Sequence, residues 1–201
     1  MAALYHPVSD AGELQRLVRA EDTRALGAGD GLELGAARVA RSLLAAKRRV
    51  IGLYPASPQT KPYEIAGEIA RAIAVATTSI VVVLDPERVG AAGVDATATP
   101  VSARLLSPGV VALVPFDTAP PGAKVEVVKV LLHFVEQERS AFEIVLIDLS
   151  GCARPGELLG VQRLLDGIVV VGRSGRVDEA ELKRASASIP RDLDLGVVLA
   201  E

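Results

Sequence analysis

Tryptophan is missing from this sequence, and only three tyrosines and three phenylalanines occur among its 201 residues. A core this poor in aromatics must be built from Val, Ile, Leu and Ala, the composition of strands buried on both faces of a parallel sheet. A single cysteine, Cys152, excludes an internal disulfide and fits a reducing compartment. No histidine lies near it in sequence, so Cys152 reads as a small loop residue and not as an activated nucleophile. The two histidines, His6 and His133, do not have metal-ligand spacing, and His133 in L-L-H-F-V-E reads as a packing or capping residue. A net charge of −3 makes no electrostatic case for nucleic acid or an anionic membrane. The basic run Lys47-Arg48-Arg49 is local and suits the last turn of a helix. No basic leader followed by an apolar run opens the chain. Nor does any stretch reach the ~18 uncharged apolar residues of a membrane span. The nearest, residues 65–84, is broken by Glu68 and Arg71. The expected location is cytoplasmic.

Half of the residues are apolar, and they alternate between strand-like and helix-like runs. Helices are predicted over residues 34–48, 64–76, 123–138 and 155–165, with another opening at Asp178. Asp178 and Glu181 have the spacing of a capping box. Strands are predicted over residues 50–53, 79–84, 110–114, 143–149, 167–171 and 194–199. Residues 87–108, rich in Gly, Ala and Thr, carry no clear assignment. Residues 9–25 read as a short amphipathic helix with Leu14, Leu17 and Val18 as its stripe, followed by the Gly-rich joint 27–31. The expected organisation is an N-terminal helix and joint over 1–31 and one domain over 32–201. Its fold class is three-layer α/β/α with a mainly parallel twisted sheet, P-loop NTPase-like.

Ligands in such sheets sit at the carboxyl ends of the strands. That rule selects four loops: 55–62, 85–88, 115–122 and 150–155. The first holds another absence. Where a phosphate-binding loop belongs, between strand and helix, the chain reads L-Y-P-A-S-P-Q-T-K-P-Y-E, with no glycine between Gly52 and Gly67. Such a loop needs glycines for positive φ, a lysine beside the phosphates and a Ser or Thr for magnesium. Pro58 and Pro62 each remove an N–H donor instead. Acidic residues do end two strands, Asp85 in V-V-V-L-D and Asp148 in F-E-I-V-L-I-D. A carboxylate there holds magnesium through water, activates an attacking group, or caps the following turn. Gly172-Arg173-Ser174-Gly175 reads as a glycine-flanked turn and not a dinucleotide fingerprint. Ser57, Ser150 and Ser174 have no sequence-evident base for nucleophilic hydrolysis.

The ordered set A-S-P-Q-T-K-P-Y, V-V-V-L-D-P-E-R, L-V-P-F-D-T-A-P-P-G, F-E-I-V-L-I-D-L-S and L-L-D-G-I-V-V-V-G-R-S-G resembles the cytoplasmic domains of bacterial tyrosine kinases and exopolysaccharide chain-length regulators. These belong with the deviant-Walker ATPases that include partition and division-site ATPases. The resemblance implies a loop A-S-P-G-E-G-K-S-T over residues 56–64. Ala56, Ser57 and Pro58 match it. Gln59 and Lys61 stand in place of its glycines, Pro62 in place of its lysine, and Tyr63 and Glu64 in place of its hydroxyl pair. Lys61 stands one position early for the lost lysine. Asp85 and Glu87 fit the family's D-x-D motif, Asp148 its fourth-strand Asp, and Pro120, Pro121 and Gly122 its P-P-N-P segment. The ring-forming helix E-x-x-R-x-x-R keeps Arg38 and Arg41, with Gly35 at the Glu position.

Together these readings lead us to expect a catalytically inactive pseudo-ATPase or pseudo-tyrosine-kinase, acting as a protein-binding adaptor in exopolysaccharide synthesis and export. The degenerate nucleotide site would comprise Ser57, Gln59, Lys61, Pro62, Tyr63, Asp85, Glu87 and Asp148, with no cofactor and no metal. Arg38 and Arg41 would serve an oligomer contact. Tyr63 would fill the vacated phosphate position. The resemblance implies a partner such as a polysaccharide copolymerase or an active ATPase relative, a homodimer or heterodimer, and recruitment to the inner membrane through that partner. Two alternatives stand beside it: an atypical ATPase or tyrosine autokinase that binds Mg-ATP or ADP through Lys61, Asp85 and Asp148, and a partition-like spatial regulator.

Overall fold

The computed structural model describes residues 6–8, 34–77, 81–84, 101–115, 124–137, 142–152 and 156–200, with Glu13 and Arg16. These form one eight-stranded sheet. The strands are β1 (His6–Val8), β2 (Val50–Pro55), β3 (Val81–Leu84), β4 (Val101–Ser107), β5 (Val110–Pro115), β6 (Ile144–Asp148), β7 (Gly167–Arg173) and β8 (Asp194–Ala200). The helices are α1 (Leu34–Ala45), α2 (Pro62–Thr77), α3 (Lys124–Gln137), α4 (Glu157–Val161) and α5 (Glu179–Ala187). Strand order is β1-β4-β5-β3-β6-β2-β7-β8.

All six strands expected from the apolar runs are present, and they pair in parallel. β2, β3, β5, β6 and β7 alternate their side chains between two separate cores, while β8 sends Leu195, Val198 and Ala200 to one of them. Ile51, Leu53, Val81, Val83, Leu146, Val169 and Val171 point to the face covered by α1 and α2. Tyr54, Val82, Leu84, Val145, Ile147, Ile168 and Val170 point to the face covered by α3, α4 and α5. Two helical layers thus enclose a sheet whose central strands are buried on both sides, as the scarcity of polar residues in those runs requires. The capping box at the start of α5 is formed: Glu181 N–H donates to Asp178, and Asp178 N–H donates to Glu181.

Two strands were not expected from the sequence. β4 runs antiparallel to β5, joined by Pro108 and Gly109, the latter in the left-handed region at φ 73°. β1 pairs antiparallel with β4. Both lie at one edge, where a strand's alternation is weak because only part of it is covered. His6–Val8 therefore belongs to the same sheet as the domain that follows. Apart from these residues, Glu13 and Arg16, the segment 1–31 lies outside the described residues, as do Asp85, Glu87, Pro120, Pro121 and Gly122.

The start of β2 is fixed by a side chain from the β7 side. Asp166 Oδ2 accepts from Arg49 N–H at 3.0 Å and Val50 N–H at 2.9 Å, while the Arg49 guanidinium donates to the Phe142 carbonyl at 2.8 Å. Gly52, in mid-strand, lets Leu149 and Leu165 close over β2. A Cβ there would stand 2.4 Å from Leu149 Cδ1 and 3.1 Å from Leu165 Cδ1. Gly52→Ala is expected to destabilise the fold by about 1–3 kcal/mol through overpacking. Urea unfolding checks this, and adding Leu149→Val should restore part of the loss.

Candidate functional site at the carboxyl ends of the central strands

β2 lies between β6 and β7, so their carboxyl ends deliver Pro55, Asp148 and Arg173 to one place. Ala56 N–H donates to the Val171 carbonyl at 2.8 Å, which keeps the chain on the β7 side as it leaves the sheet. Ser57 to Thr60 then make a tight turn, with Thr60 N–H donating to the Ser57 carbonyl at 3.1 Å. Pro58 suits the second position of such a turn because its φ is preset. Ser57 and Thr60 are both buried, and their hydroxyls lie 3.3 Å apart. Gln59 and Lys61 are exposed. No residue from 55 to 62 has positive φ.

Pro62 opens α2, a position that tolerates the missing N–H. The following Tyr63 N–H donates to Asp148 Oδ2 at 3.0 Å, and the Glu64 N–H to the Lys61 carbonyl at 3.1 Å. The N–H groups of the first three helical residues, the ones a helix offers an anion, are thus absent or engaged. Asp148 is 4 % exposed. Its other oxygen accepts from Ser150 N–H at 2.7 Å and Ser150 Oγ at 2.6 Å. A carboxylate from β6 therefore sits at the amino end of α2, where the macrodipole favours negative charge. The Tyr63 ring, expected at the phosphate position, packs against the apolar cluster of the α1–α2 face.

An ion-pair chain runs across the mouth of the site. Glu64 Oε1 is 3.4 Å from Lys61 Nζ, and Glu64 Oε2 accepts from the Arg173 guanidinium at 2.8 Å. The small burial of Glu64 pushes its carboxyl up, but Lys61 and Arg173 together hold it below the ordinary glutamate range. Burial raises the Tyr54 hydroxyl, opposed by a hydrogen bond from the Ser188 side chain and reinforced by Cys152. Tyr54, Ser57, Thr60, Ser150, Arg184 and Ser188 line a cleft of about 400 Å³ between this turn and α5.

Of the residues singled out from sequence, the structure brings together Ser57, Gln59, Lys61, Pro62, Tyr63 and Asp148. Arg38 and Arg41 lie exposed on α1. The glycine-flanked turn after β7 is present, with Gly175 at φ 74°. Arg173 itself, Thr60 and Ser150 were not anticipated as parts of one cluster. The signal for Arg173 was available: a cation ending the strand next to β2 faces the first turn of α2.

No family model matches this chain, and no curated protein does either. Solved structures do. The BceF tyrosine kinase domain is 17% identical over 98% of this chain and 91% of its own, with a TM-score of 0.61. The kinase domain of the Escherichia coli tyrosine kinase ETK is 14% identical over 98% and 87%, with a TM-score of 0.62. The chimerical protein CapA2B2 is 15% identical over 92% and 89%, also at 0.62. In fold, then, the chain is a three-layer α/β/α protein. Within that class its fold is that of bacterial tyrosine kinase domains, consistent with the resemblance read from the sequence motifs. No helix among the described residues is long and apolar enough to cross a membrane.

Two outcomes follow from this geometry. Asp148→Ala should lower stability by about 1–3 kcal/mol, because it strands half-buried N–H donors, while Asp148→Asn should cost less; thermal unfolding reads both. Glu64 has a depressed carboxyl in the folded state, so its contribution is present above the ordinary value and is lost as pH falls through the lowered one. Its exposure keeps the effect below about 1 kcal/mol. The acid limb of a stability–pH curve should therefore flatten slightly in Glu64→Gln.

Proposed function

We propose that this chain is a non-catalytic, protein-binding member of the tyrosine-kinase-domain fold, a pseudo-ATPase acting through contacts. The observation that carries the reading is Asp148 Oδ2 on the Tyr63 N–H, a carboxylate held where an anion-binding helix would meet phosphate. The residues present do not fit a magnesium-bound nucleoside triphosphate. The loop 55–62 has no left-handed residue to turn successive N–H groups inward. Pro62 stands in the position of the phosphate-contacting lysine, and Lys61 points its charge at Glu64. Tyr63 and Glu64 leave no Ser or Thr hydroxyl for a metal at the start of α2. Glu64 also engages both cations at the mouth of the site, Lys61 and Arg173, which a polyanion would otherwise meet.

The role as adaptor or regulator in exopolysaccharide export rests on the motif resemblance to chain-length regulators, together with the similarity in fold to tyrosine kinase domains. A protein partner at the inner membrane, a copolymerase or an active relative, is part of the same proposal.

Calorimetry with Mg-ATP and Mg-ADP, with a sensitive phosphate-release assay alongside, tests the central part. No binding heat at millimolar nucleotide and no release above background are expected. Micromolar binding that Lys61→Ala abolishes would instead make the chain an atypical ATPase or autokinase. In the native host, Lys61→Ala should restore polysaccharide output to a deletion strain as fully as the unaltered chain does. A deletion that leaves output unchanged would remove the export role.

A further inference from the structure

β8 closes the sheet at one edge, and its outer side is unpaired among the described residues. Its inner side can be read from the ladder. Val198 and Ala200 pair with Val171 and Arg173 of β7, and the Ala200 carbonyl accepts from Ser174 N–H. Alternation then turns the N–H and C=O groups of Val197 and Leu199 outward. The same two residues carry the exposed apolar side chains of the strand, at 46% and 50% exposure. Both main-chain and side-chain valences of β8 are therefore open at these positions, which is the condition for adding a strand.

Beside this edge lies a groove of about 830 Å³ between α1 and β8, walled by Ala36, Val39 and Leu43 on one side and Leu195 and Val198 on the other. Arg38 lines it. α1 and the four residues after it contain Arg38, Arg41, Lys47, Arg48 and Arg49 and no acidic residue. Arg38 and Arg41 are exposed and make no ion pair among the described residues. Glu68, the acidic residue of the lining, already has a partner. The edge is thus apolar in its strand and basic on the helix beside it.

We infer that β8 is a docking edge for an extended peptide segment of a partner protein, one that alternates apolar residues with acidic ones and adds as a ninth strand. Its main chain would pair with Val197 and Leu199, and its acidic side chains would face Arg38 in the groove wall, with Arg41 adding positive charge from the exposed side of α1. A second copy of this chain fits less well. Two-fold antiparallel pairing of β8 with itself keeps the faces aligned, so one basic α1 would lie beside another. The inference does not depend on the nucleotide reading, because the edge lies on the far side of β7 from the 55–62 turn.

The test uses the full chain labelled with nitrogen-15 and a nine-residue peptide alternating valine with glutamate. Two controls accompany it: the same peptide with lysine for glutamate, and a glutamate peptide N-methylated on the backbone nitrogens that would face β8. The glutamate peptide should shift the Val197 and Leu199 amides and slow their hydrogen exchange. The lysine peptide should bind at least about ten-fold more weakly, and Arg38→Glu with Arg41→Glu should reverse that order. These two positions are exposed, and circular dichroism confirms that the variant folds. Lys61→Ala should leave peptide binding unchanged. Absence of binding at millimolar glutamate peptide, equal binding of the methylated peptide, or an unaltered preference in the double variant would each overturn the inference. So would a dimer, seen by light scattering, that Val197→Lys dissolves, because it would place a second copy on the edge.

Discussion

One carboxylate organises the carboxyl end of this sheet. Asp148 leaves β6 directly beside β2, in register with Leu53, and its two oxygens tie the start of α2 to the turn that follows β6. Everything nearby accommodates that link. The turn from Ser57 to Thr60 is short enough to bring Pro62 down onto the sheet. Pro62 starts the helix without presenting an N–H, and the one donor that remains at the next position meets the carboxylate. A helix N-terminus carries partial positive charge, and a buried carboxylate needs donors. Each satisfies the other, and the pair is internal to the chain.

A phosphate arriving at the same place would have to displace Asp148 from the Tyr63 N–H, leaving a buried carboxylate to be neutralised or re-paired. At the rim it would have to compete with Glu64 for Arg173 and Lys61. In an open glycine-rich loop, the backbone donors wait for the ligand. Here Ala56, Thr60, Tyr63 and Glu64 already use theirs, and Pro58 and Pro62 have none. The scaffold takes its stability from the two apolar cores on either side of the sheet, and neither core includes the loop residues 57–61. The fold and the site can therefore diverge independently.

Much of the scaffold was legible in the sequence. Runs such as V-V-V-L-D and F-E-I-V-L-I-D announce strands buried on both faces, and the Asp178–Glu181 spacing announces the start of α5. β4 was hidden because V-S-A-R-L-L-S follows a stretch rich in Gly, Ala and Thr, and β1 because three residues are too few for periodicity. At the site, the lack of glycine between Gly52 and Gly67 is plain in the sequence, and so is the position of Asp148. What Asp148 touches is not. Its partner is a backbone N–H 85 residues away, brought near only by the β2–β6 register. The Arg173–Glu64 pair spans 109 residues and depends on β7 flanking β2 on the other side. Ordering along the chain reveals elements, whereas contacts between strand ends require the strand order.

The most direct measurement follows the Tyr63 amide in a nitrogen-15 correlation spectrum while Mg-ATP, and separately pyrophosphate, is added to millimolar concentration. If Asp148 holds that N–H, its resonance and its slow hydrogen exchange stay unchanged, and the phosphorus signals of the added compounds keep their free positions. A Tyr63 amide that moves with saturation, accompanied by shifted phosphorus resonances, would show phosphate taking the carboxylate's place and would contradict the account.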